Sequence, residues 1–169
     1  METSPPPAPP RSFWRRRALD PILAQLRQGL TPHEVALTLA LGTVCGIFPF
    51  LGFTTGLCFV TALVLRLNQP IIQIVNQLLW PVQLAMIVVY LKAGSWLYGA
   101  APMPFNPEEV RKIFAEDPHP WTAFWSRFGL MGLHALTAWL ISVPLIVAVI
   151  YFSARPILGR IASNRTGRP

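Results

Sequence analysis

Between Val35 and Leu65 the chain runs for about 31 residues without Asp, Glu, Lys or Arg, and Gly46-Ile47-Phe48-Pro49-Phe50-Leu51-Gly52 stands in the middle of the run. A straight helix of that length would measure roughly 46 Å, against a bilayer hydrocarbon core of about 30 Å, while either arm alone would reach only roughly 20 Å. Proline removes a backbone donor and glycine tolerates turns, so the pattern predicts a helix that enters an apolar layer, reverses near Pro49 and leaves on the same side.

Two further apolar stretches follow, Leu67 to Leu91 and Phe128 to Ala154, and neither contains a charged residue. Each is long enough to cross a bilayer. With 53% hydrophobic and 12% charged residues, the composition is that of a membrane protein rather than a soluble domain. The net charge of +7 gathers at the two ends, with Arg11, Arg15, Arg16, Arg17 and Arg27 at one and Arg155, Arg160, Arg165 and Arg168 at the other. Cytoplasmic segments beside membrane spans accumulate such charge, and no nucleic-acid reading module accompanies it, so no nucleic-acid partner is expected. The arginines, Arg15 to Arg17 above all, are expected to meet anionic lipid headgroups. No hydrophobic segment with a cleavage site follows the N-terminal arginines, so no cleaved signal peptide is expected.

Both termini on the cytoplasmic side require an even number of crossings. The resulting expectation is an all-α polytopic membrane protein of the bacterial cytoplasmic membrane. Residues 1–17 form a disordered proline-rich, basic tail and 18–156 a single membrane domain. Within it lie an interfacial helix at 19–30, a broken re-entrant hairpin at 32–66, a broken span at 70–98, an external loop with short helices at 99–127 and a last span at 128–154. Residues 157–169 form a basic tail. Leu19, Ile22, Leu23, Leu26 and Leu30 recur at helical spacing and define the interfacial helix. Thr31-Pro32-His33-Glu34 reads as a capping box that starts the first arm. The hairpin would put Glu34 and Arg66 on one side, where they form a candidate ion pair.

The second stretch is punctuated by Asn68, Pro70 and Trp80-Pro81, which predicts a second break or kink at Pro81. Gln73, Asn76 and Gln77 share a helical face and Gln83 follows the proline. Four amides in an apolar stretch need partners. Interhelical hydrogen bonding that fixes packing is one account. The other is a polar centre built on the helix breaks from Gly46, Pro49, Gly52, Thr54, Thr55, Gln73, Asn76, Gln77, Pro81 and Gln83, by analogy with discontinuous helices that expose their ends to solutes. Lacking charge, such a centre suits a neutral or zwitterionic ligand, or an anion held by free N–H groups.

Beyond the second stretch, Asn106-Pro107-Glu108-Glu109 opens a helix expected to lie flat on the outer surface. Trp121, Phe124, Trp125 and Phe128 suggest an aromatic belt at the lipid boundary. In the last span Gly132, Ala135, Ala138 and Ser142 form a small-residue stripe for helix packing, and Pro144 is a candidate kink. His134, the span's one ionisable side chain, is read as a hydrogen-bonded packing residue. Cys45 and Cys58 lack metal or redox spacing and read as apolar filler. No catalytic constellation, metal cluster or cofactor loop is recognisable, so no enzyme activity and no cofactor are expected.

The runs Leu26-Arg27-Gln28-Gly29-Leu30-Thr31-Pro32-His33-Glu34, Gly46-Ile47-Phe48-Pro49-Phe50-Leu51-Gly52 and Leu65-Arg66-Leu67-Asn68-Gln69-Pro70 resemble the bacterial membrane family designated DUF2062, a domain of unknown function. Many members carry Asn-Pro-Leu-Thr in the second stretch; here Trp80-Pro81-Val82-Gln83-Leu84 resembles the Pro-x-Gln-Leu variant. The resemblance implies an integral protein of the cytoplasmic membrane and supplies no reaction. The leading expectation is a non-enzymatic membrane protein that handles a small neutral or zwitterionic solute or lipid, or assists a transporter. The alternative is a structural or assembly protein that binds a partner membrane protein, or another copy of itself, through its helices.

Overall fold

In a computed structural model, which describes residues 30–100 and 107–166, every regular element is helical. The expected interfacial helix at 19–30, the N-terminal tail with Arg15, Arg16 and Arg17, and Arg168 lie outside the described residues, Leu30 excepted. Chain order gives α1 (Pro32–Gly46), α2 (Thr54–Val64), α3 (Gln69–Leu78), α4 (Trp80–Leu97), α5 (Pro107–Glu116) and α6 (Pro120–Thr166).

Helix α1 starts where its cap dictates. Thr31 is extended, Pro32 takes the first turn, the Thr31 hydroxyl accepts from Glu34 N at 3.2 Å, and Glu34 Oε2 accepts from Thr31 N at 2.8 Å. These bonds from the Thr31 backbone, and then from its side chain, hold the Glu34 carboxyl below its ordinary range. The helix ends at Gly46, and Ile47 to Phe53 form the turn into α2. Gly52 supplies the turn's left-handed residue, φ 84°.

Helices α2 and α4 each close on a left-handed residue. Arg66 takes φ 54° after α2 and Leu67 N donates to Ala62 O at 2.8 Å; Gly99 takes φ 61° after α4 and Ala100 N donates to Ser95 O at 2.9 Å. Both have the bonding of a Schellman stop, in which glycine is the usual left-handed residue. Arg66 therefore holds a strained position.

The interruption in the second stretch falls at Leu79, one residue wide, rather than at Pro81. Pro81 occupies the first turn of α4, where a missing N–H costs no helical bond. Together Gln69–Leu97 form a 29-residue apolar helical stretch, and Phe128–Ser163 a 36-residue one; these two are long and apolar enough to cross a membrane. Helix α6 is longer at both ends than the expected 128–154 span. It begins at Pro120, absorbs the Trp121 to Phe128 aromatics, and continues unbroken past Pro144 and Pro156 to Thr166.

The core forms around α1, which packs against α2, α3 and α6. Val35, Ala36, Ile71, Val75 and Leu158 make one buried cluster, and Val44, Ile47, Tyr90, Ala135 and Trp139 a second. Small residues set the spacings. A Cβ on Gly42 would stand 3.0 Å from Ile72 Cγ1, and one on Gly46 3.2 Å from Leu79 Cδ1. Where α4 meets α6 the approach is closer still: a Cβ on Gly94 would collide with the His134 carbonyl. The contacts of α1 with α6 run antiparallel, from His33 at Tyr151, through Val44 at Trp139, to the Phe50 ring at Gly132.

Gly94→Ala should destabilise the bundle by at least the ~1–3 kcal/mol typical of overpacking, because the obstacle is backbone. Arg66→Gly should stabilise it by about 0.5–1 kcal/mol through relief of the left-handed strain. Thermal unfolding in detergent micelles measures both, and a lower midpoint for Arg66→Gly would contradict the assigned stop.

Candidate functional site

A helix that ends inside a protein leaves carbonyls without intrahelical donors, and a helix that begins there leaves N–H groups without acceptors. The α1–α2 turn has both problems, and side chains from distant helices address the first. Gln83, 2% exposed, donates Nε2 to Phe48 O at 3.1 Å and to Phe50 O at 3.5 Å. Trp139 donates Nε1 to Val44 O at 3.1 Å. Thr43 O and Cys45 O are met locally by Ile47 N and Phe48 N.

Along α3 the amides face α2. Asn76, buried, donates Nδ2 to Thr55 Oγ1 at 3.2 Å, and Gln73 donates Nε2 to Thr55 O at 3.3 Å. Gln69 donates to Phe59 O at 3.0 Å. The structure thus brings Gln73, Asn76 and Thr55 together at one point, and Gln83 to the turn at another. Pro49 and Thr54 are buried, Gly46 is pressed between Leu79 and Asn76, and Gly52 and Pro81 are exposed. Gln77 is exposed on α3. Among the described residues no buried side-chain nitrogen or oxygen lacks a partner. The α2 N-terminus has no side-chain cap at Phe53.

Glu34 and Arg66 are not joined in an ion pair. Glu34 turns its Oε2 to Thr31, and Arg66 closes α2. On α6, Ala135 is 1% exposed, Ala138 packs against the Val44 cluster, Gly132 lies under the Phe50 ring, and Ser142 Oγ stands 3.0 Å from Tyr90 OH while donating to Trp139 O. The stripe therefore faces α1 and α4 of its own chain. His134 stacks on Tyr98, ring centroids 4.2 Å apart, and Tyr98 OH donates to Thr137 Oγ1. Cys45 and Cys58 share a buried cluster, with Cys45 Sγ 3.5 Å from Thr61 Oγ1. No group of three metal-ligating side chains occurs among the described residues.

Sequence reasoning missed four of these features. Gly42 and Gly46 stand at the small-xxx-small spacing that announces close helix packing, so a signal was present. Gly94 has no such partner in sequence, and nothing marks Trp139 as donor to Val44. Gln69 stands four residues before Gln73 on the same face and belongs to the amide row.

A family model described as "Uncharacterized protein conserved in bacteria (DUF2062)" matches residues 15–166. No curated protein and no solved structure matches the chain.

Gln83→Leu keeps the volume but strips the donors from Phe48 O and Phe50 O, and should cost about 1–3 kcal/mol, the usual penalty for stranding buried polar groups. The midpoint of thermal unfolding reports it. An unchanged midpoint would remove Gln83 from its role at the turn.

Proposed function

From the premise that this chain belongs to the DUF2062 family, we propose that it is a polytopic, non-enzymatic protein of the bacterial cytoplasmic membrane whose helices α1 and α2 form a re-entrant hairpin. The observation that carries the reading is the distribution of side chains. Thr38, Thr54, Asn76, Gln83 and Ser95 are buried, while Phe53, Leu63, Val64, Leu130, Leu145 and Phe152 are exposed. A bundle with its polar groups inside and large apolar groups outside is matched to lipid, where backbone and amide groups must be satisfied internally. The chain end at Arg155 and Arg160 is then cytoplasmic, as is the N-terminal arginine group.

Within that setting the bonding of the amides favours a structural or assembly role. Gln73, Asn76 and Gln83 give their donors to the chain's own turn and to α2, so the cluster acts as interhelical glue. The protein then presents its lipid-facing helices to a partner membrane protein or to another copy. A second reading, handling of a small neutral or zwitterionic solute or lipid, alone or in aid of a transporter, is favoured by the uncapped start of α2 beside Thr54 and Thr55.

The test combines alkaline carbonate washing of membranes with accessibility of single cysteines, Ser12→Cys, Arg66→Cys, Asn106→Cys and Ser163→Cys, in a Cys45→Ala/Cys58→Ala background. The chain should resist carbonate. An impermeant thiol reagent should label only Asn106→Cys in intact cells, and the other three in inverted vesicles. Labelling of Arg66→Cys from outside would make the first apolar run a true crossing. Purification in mild detergent then separates the roles: a stoichiometric membrane partner or a self-assembly supports the assembly role, and a monomer that binds solute supports the second reading.

A further inference from the structure

Helix α3 carries Gln69, Gln73 and Gln77 at four-residue spacing, which puts all three on one face. That face lies on the rim of the bundle rather than inside it. Gln69 and Gln73 are half-buried and donate to α2 carbonyls, as described above, whereas Gln77 is exposed and bonds to no described residue. Thr55 and Gly56 of α2 are exposed on the same rim, and no atom stands within 4 Å of where a Gly56 Cβ would be. The apolar Phe53, at the α2 N-cap, and Phe59, on α2, are likewise exposed, at 68% and 54%.

Given the membrane setting proposed above, on which this step rests, an unbonded amide at Gln77 would face hydrocarbon, where nothing can satisfy its two donors and its acceptor oxygen. The free energy of that arrangement favours covering it. We propose that the Gln73–Gln77 face of α3 is a homotypic interface, and that a second copy of this chain packs against it about a two-fold axis with Gln77 amides paired across the contact. An amide is the side-chain group best suited to such symmetry. It donates and accepts at once, so a two-fold axis that sets it against its own copy leaves both satisfied, as an ammonium or carboxylate set against itself would not be. Gly56 leaves the backbone of α2 open to close approach, the feature that allows membrane helices to gain packing contacts. Nothing in the face is charged, which disfavours a lipid phosphate as the occupant.

The experiment uses carbonate-washed membranes holding the full chain in a Cys45→Ala/Cys58→Ala background. Gln77→Cys should form a disulfide-linked dimer on oxidation with copper phenanthroline, while Val88→Cys and Leu145→Cys, exposed on α4 and α6, should remain monomeric. In detergent micelles Gln77→Leu, with the cysteines native, should raise the dimer dissociation constant about tenfold or more. A Gln77→Cys chain that stays in the membrane and cross-links no better than the two controls overturns the interface alone. So does a Gln77→Leu chain that dimerises as tightly as the parent, or a parent that is monomeric and binds solute at this face. Loss of the chain in the carbonate wash overturns the membrane setting and the interface with it.

Discussion

The fold depends on what becomes of the backbone groups released where the first apolar run stops being helical. In an apolar interior each unpaired carbonyl costs more than most side-chain contacts return, so a break survives only if donors are brought to it. Here they come from two helices remote in sequence: Gln83 on α4 reaches Phe48 O and Phe50 O, and Trp139 on α6 reaches Val44 O. The break is therefore not a flaw tolerated by the bundle. It ties α4 and α6 to the hairpin, and the small residues Gly42 and Gly46 let α3 lie close enough to complete the layer.

The reach of the hairpin follows from the same contacts. His33 meets Tyr151 and the Phe50 ring meets Gly132, so the hairpin tip stands 19 positions along α6 from its entrance. At about 1.5 Å per residue that is roughly 28 Å, close to the ~30 Å of a hydrocarbon core. The reach of the hairpin is thus comparable with the thickness of such a layer, and Leu51 and Phe53 are exposed at its tip.

Much of the helix order is legible in the sequence because it is encoded locally. Thr31, Pro32 and Glu34 specify a helix start within four residues, and in the Gly46 to Gly52 run the missing donor of Pro49 and the left-handed Gly52 favour an end and a turn. What was not legible depends on long-range geometry. The proline at 81 suggested a break at its own position, but a proline is indifferent in a first turn, and the interruption moved back to Leu79. Glu34 and Arg66 looked like a pair because each stands at the mouth of the hairpin; the cap and the Schellman stop engage them locally instead. The amides could be recognised as needing partners, yet whether they faced a ligand or a neighbouring backbone was decided by helices whose docking no local pattern records. Helix α6 overran its expected ends because aromatic residues at Trp121 to Phe128 and the apolar residues around Leu158 are as compatible with helix as the span between them.

The bonding at Gln83 also bears on what kind of centre this can be. A binding site offers polar groups whose bonds are available to a ligand, at the cost of water that a ligand displaces. Gln83 places both its donor contacts on backbone carbonyls of the turn, so a ligand that recruited its amide would take that donor from Phe48 O and Phe50 O unless it also carried donors for them. Competition of that kind is demanding, since it requires a solute that replaces an internal amide atom for atom. An amide that closes a turn is thus well placed to hold helices in register and poorly placed to be borrowed, while an amide on the rim, such as Gln77, is free to bond outward at no cost to the fold. The same residue type consequently serves two ends on adjoining helices, with burial and the nearest unpaired carbonyl deciding which.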